Sequence, residues 1–140
     1  MIAFWAALWV VLCSGYDLVQ GRVPNELMGL GWIGAVLLRT YWMFTGIGDA
    51  KIQGFITIAS WALALGFWLA GWWGAADAKF IMALTLALPD PWMLGAMAIA
   101  NLMVGVLELR VASWRGKSMP AVACLGAGWL AWAAIAMISG

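Results

Sequence analysis

The stretch IQGFITIASWALALGFWLAGW, residues 52–72, carries no charged side chain. Wound as an α-helix it rises about 1.5 Å per residue, enough to cross the roughly 30 Å hydrocarbon layer of a membrane. The rest of the chain has the same character. Over 140 residues, 66% are hydrophobic and only 9% charged, with a mean hydropathy of +0.99. Soluble domains carry about a quarter charged residues, so the solvent for most of this chain is lipid. At this length a single membrane-embedded domain is expected, covering 1–140.

The same ruler, carried outward in both directions, gives six candidate spans: 2–18, 26–45, 52–72, 76–88, 92–109 and 120–138. The expected fold is therefore all-α, a bundle of about six transmembrane helices. The fourth span is the shortest, because Pro89 cuts it off. Between the spans lie segments with turn and capping chemistry: GRVPN (21–25), TGIGDAK (45–51), LPDPW (88–92) and RVASWRGKSMP (110–120). Pro24 followed by Asn25 reads as a break and then an N-cap. Gly29, Gly34, Gly66 and Gly105 are expected to bring helices close together. Several of the twelve tryptophans stand near span ends, where indoles anchor at the lipid–water boundary. Residues 1–18 have neither a basic leading segment nor an A-x-A site, so a retained helix is expected there.

Basic residues of short loops collect on the cytoplasmic side of a membrane. Six spans put Arg22, Lys79, Arg110, Arg115 and Lys117 on one side and Arg39 and Lys51 on the other. The first side is then cytoplasmic, with both termini outside.

Histidine is absent, which removes Ser–His and Cys–His nucleophile pairs, H-E-x-x-H metal sites and histidine proton relays. Cys13 and Cys124 form no C-x-x-C pair and sit in apolar runs, as small buried hydrophobes do. No metal and no cofactor are expected. The seven Lys and Arg form no stripe, so nucleic acid is not an expected partner. Acid–base chemistry near neutral pH is left to carboxylates, lysine or tyrosine.

Two of the six acidic residues stand out. In YDLVQGRVPNE (16–26) and GWWGAADAKF (71–80), Asp17 ends the first span and Asp77 opens the fourth. The topology puts both at the cytoplasmic face and at one depth, near helix ends where burying a charge is least costly. The positive end of the fourth helix dipole also lies beside Asp77. Two carboxylates a few ångströms apart do not readily both ionise, so they hold an acid and a base in one place. That suits peptide hydrolysis, with the base activating water and the acid polarising the carbonyl. The small residues Gly71, Gly74, Ala75 and Ala76 would admit a substrate backbone. The plainer roles are an interfacial residue for Asp17 and a helix-start residue for Asp77. Asp49 and Asp90 fall in loops on the opposite side, and Glu26 and Glu108 read as solvated span ends.

DLVQGRVPN (17–25) and GAADAK (74–79) together resemble the two active-site motifs of the prepilin peptidases, or type IV leader peptidases, which are membrane aspartic proteases of the GxGD class. Asp17, Arg22, Val23, Pro24 and Asn25 are similar in order to the first motif, and Gly74, Asp77 and Lys79 to the second. KSMPAVACLGAG (117–128) is a weaker echo of the family's last span. The resemblance implies Asp17 and Asp77 as catalytic pair. Arg22, Pro24, Asn25, Gly74, Ala76 and Lys79 would support the site or bind substrate. It implies a pilin-like precursor as substrate, with a short basic leader ahead of a hydrophobic helix, cut at the cytoplasmic face of a prokaryotic inner membrane. The chain lacks the cysteine-rich insertion of larger members and resembles the small, cleavage-only type of Flp/Tad-like pilus systems.

Two departures bear on this reading. Ala76 stands where the motif has its second glycine, and its methyl group is expected to narrow the approach of a backbone or to forbid a positive φ. The Pro120 segment lacks the family's aromatic–glycine pair. Two other functional classes compete. One is a small transporter or proton-coupled carrier, which would place ionisable groups near the midplane. The other is a non-catalytic subunit of a pilus or secretion assembly.

Overall fold

Helix-forming runs separated by glycine and proline should give a helical chain, and they do. The computed structural model describes residues 2–46, 48–71, 73–110 and 121–139, and among them there are six helices and no strand. These are α1 (Ile2–Gln20), α2 (Asn25–Thr45), α3 (Ala50–Leu69), α4 (Ala75–Ala87), α5 (Pro91–Arg110) and α6 (Ala121–Ser139). By length and composition, α2 and α3 are each able to cross a membrane.

The helix ends follow local chemistry. Gly21, Gly46 and Gly71 adopt positive φ (64°, 67° and 75°) just beyond α1, α2 and α3, a conformation glycine takes without the Cβ penalty. The turn at Gly71 ends α3 at Leu69, short of the expected Trp72. Asp49 caps α3 by accepting from the Lys51 N–H at 2.8 Å and the Ile52 N–H at 3.4 Å. Asp90 accepts from the Trp92 N–H at 2.8 Å at the start of α5. Asn25, expected as an N-cap, is instead the first residue of α2. Pro24 holds the cap position with φ −59° and ψ 141°, and no side chain caps that end. Proline is at ease there, because its φ suits a helix entrance and its missing N–H is not needed.

α4 is the central helix. It packs on α2, α3 and α6, and it buries Phe80, Ile81, Ala83, Leu84, Thr85 and Ala87. A helix apolar on all sides is stable only when surrounded, and the brevity imposed by Pro89 lets its neighbours enclose it. By contrast α2 buries only the stripe Met28, Gly31 and Ala35, and α3 only Thr57, Ser60 and Ala64. Their other faces expose large apolar side chains such as Leu37, Phe44, Phe55 and Leu69. Apolar surface of this extent marks a face for contact with lipid or with another protein.

The buried stripes decide which glycines matter. Gly34 was expected at a helix contact, and a Cβ there would overlap the Trp5 indole. Gly31, not anticipated, has Trp9 in the same relation. Gly29 and Gly66 lie off the stripes, and a Cβ on either meets nothing within 4 Å, so neither brings helices together. The surroundings of Gly105 lie outside the described residues. Trp9 is a structural post: it stacks on Trp5 (6.0 Å) and Phe80 (5.0 Å) and donates its indole N–H to the Leu27 carbonyl at 2.9 Å. Tryptophan thus serves in the interior as well as at helix ends, where Trp92 is 79% exposed.

Candidate active site

Asp17 lies in the last turn of α1 and Asp77 in the first turn of α4, and both are buried, at 8% and 9% exposure. Buried carboxylates need hydrogen-bond donors, and here the donors are the spare N–H groups of helix starts. The Ala123 N–H donates to Asp17 Oδ2 at 3.1 Å, across 106 residues of sequence. The backbone of Val122 also reaches this carboxyl group. Asp17 therefore seats α1 on the positive end of α6, where a negative charge is favoured. Asp77 folds back on its own helix, and its Oδ2 accepts from the Gly74 N–H at 2.7 Å. This is half of a capping box; the other half needs a side chain that glycine lacks.

Both carboxyl groups are held at helix ends, Asp17 where α1 closes on α6 and Asp77 where α4 opens. Each has one oxygen held by backbone, and no ion pair joins either to a cation among the described residues. Arg22 and Lys79 are exposed. Lys79 lies two residues beyond Asp77, on the opposite side of α4. Arg22, Pro24 and Asn25 line a shallow groove of about 310 Å³ with Gln20, Val23 and Glu26, beyond the end of α1 that carries Asp17. Gly74 has an ordinary φ of −73°, so its value is room: a Cβ would sit 3.1 Å from Asp77 Oδ2.

Ala76 corrects one half of an expectation, that its methyl group would forbid a positive φ. No described non-glycine residue has a positive φ, and Ala76 is the second residue of α4, half-buried and packed on the core. Its backbone is helical, a conformation in which alanine is better than glycine. The methyl group therefore imposes no forbidden conformation.

Sequence reasoning missed the amide groups of Val122 and Ala123. The available signal was Pro120, which marks a helix start, and helix starts attract carboxylates. Pro120, Arg110, Arg115, Lys117 and Glu108 lie outside the residues whose side chains are described. Cys13 and Cys124 are buried free thiols, as expected. Among the described residues no three Cys, Asp or Glu side chains gather as a metal site would require.

The sequence model of the type IV leader peptidase family matches residues 4–109, a segment that contains both aspartates and stops before α6. No curated protein and no solved structure matches the chain.

Proposed function

The chain belongs to the type IV leader peptidase family, and on that premise we propose that it is an intramembrane aspartic endopeptidase with Asp17 and Asp77 as its catalytic pair. The observation that carries this reading is the burial of both carboxyl groups, each accepting from the backbone N–H of a helix start and neither ion-paired to a cation among the described residues. One ionised carboxylate takes a proton from water, whose oxygen attacks the carbonyl carbon of the scissile peptide. The other, protonated, donates to the carbonyl oxygen. Collapse of the tetrahedral intermediate breaks the C–N bond, and the amine leaves with a proton returned by the pair. The substrate is a pilin-like precursor with a basic leader ahead of an apolar helix. The six helices span a prokaryotic inner membrane, with the site at the cytoplasmic face. The exposed apolar faces of α2 and α3 and the distribution of Lys and Arg support this placement.

The test uses substitutions that keep the hydrogen-bonding shape. In Asp17→Asn and Asp77→Asn an amide oxygen still accepts from Ala123 or Gly74, so insertion and folding persist. Cleavage of a co-expressed pilin-like precursor should fall by at least 100-fold in each. Normal processing by either variant would reject the assignment, and substrate-driven proton flux in proteoliposomes would favour a carrier instead.

A further inference from the structure

We propose that the apolar cleft between α3 and α5 docks the hydrophobic helix of the substrate and places its leading end at the aspartates. This deepens the peptidase reading and rests on it. The cleft holds about 300 Å³, and its walls include Ala64 and Phe67 of α3 and Ala98 of α5, with Ile81 of α4 and Leu125 of α6 completing it. α3 and α5 both flank this space, yet they share no extended packed interface among the described residues.

Three observations identify the occupant. The first is continuity with the site. Ile81 lies one turn beyond Asp77 on the same face of α4, so the cleft begins one turn beneath the carboxylate. Trp73, which also lines the cleft, immediately precedes the glycine that holds Asp77, and its ring packs on Phe67 at 4.8 Å. The second is chemistry. The lining is almost wholly apolar, and its lone hydroxyl, on Ser60, is already donated to the Ile56 carbonyl at 2.6 Å. The third is shape. From Phe67 to Ser60 the cleft follows α3 for about two turns, roughly 10 Å. Ala64, Gly95 and Ala98 in its walls leave room for a helix backbone to approach. A Cβ on Gly95 would meet nothing within 4 Å. A membrane-inserted apolar helix lying in this cleft would present the peptide bonds at its end to Asp17 and Asp77.

The test uses the full chain in liposomes with a pilin-like precursor bearing a basic leader and an apolar helix. Gly95→Leu adds bulk to the cleft from a position whose Cβ meets nothing within 4 Å. It should raise KM for this precursor at least tenfold while kcat changes less than twofold. Val36→Trp, on the outward face of α2, should leave KM unaltered. A photo-crosslinking residue at Ala98 should capture the precursor helix, and one at Val36 should not. The capture should survive Asp17→Asn, which separates docking from chemistry. An unchanged KM in Gly95→Leu would overturn the proposal, as would capture at Ala98 of lipid or a second copy of the chain alone. Full cleavage by Asp17→Asn would instead overturn the peptidase reading.

Discussion

Replacing Ala76 by glycine gives the chain the second glycine of the motif its family resemblance suggests, and the structure foretells a loss of stability with no gain in activity. Ala76 stands in the first turn of α4 with a helical backbone. Alanine is better than glycine by about 0.8–1.0 kcal/mol in a helix interior, and by roughly half of that in a first turn with fewer bonds to lose. The methyl is half-buried against the core, and removing it forfeits a further ~0.4 kcal/mol, half the value of a fully buried group. Together these predict a destabilisation of about 1 kcal/mol, read as a fall of a few degrees in the thermal unfolding midpoint in detergent. Cleavage measured well below that midpoint should change less than about threefold, because the conformational freedom of glycine has no use at a helical φ. A tenfold rise in kcat/KM would refute the reasoning. It corresponds to about 1.4 kcal/mol of transition-state stabilisation, and it would mean that the working enzyme passes through a backbone conformation alanine resists.

Gly31→Ala and Gly34→Ala should each destabilise by about 1–3 kcal/mol, since the new methyl displaces Trp9 or Trp5 from a packed position. Gly29→Ala and Gly66→Ala should leave the thermal midpoint unchanged or raise it, because helix propensity improves by up to about 1 kcal/mol where space is open. Asp49→Ala and Asp90→Ala remove helix caps and should each cost about 1 kcal/mol in an unfolding measurement, with cleavage in the folded fraction unaltered. Asp77→Ala should lose both activity and stability, by about 1 kcal/mol, because it strands the Gly74 N–H. Asp77→Asn should lose activity with its unfolding midpoint nearly intact.

Hydropathy, proline and glycine place α1 through α6 to within a few residues, because the length of an apolar run and helix termination are properties of short segments read one at a time. The two aspartates were legible for a related reason: a carboxylate at the end of an apolar run is conspicuous in a chain with six acids. Asp49 and Asp90 are aspartates too, but they fall in the turns between apolar runs, and each caps a helix.

What the local pattern could not supply is the direction each helix faces. Neither α2 nor α3 separates its polar and apolar residues cleanly, since most residues of both are apolar. Gly31 and Gly29 therefore look alike until α1 lays Trp9 across one of them. The pairing of Asp17 with the amides of α6 likewise joins segments 106 residues apart. It arises from backbone N–H groups that every residue but proline possesses, so no side-chain pattern announces it. Composition and breakers select the helices, and tertiary packing selects which faces meet and which buried carboxyl groups find donors.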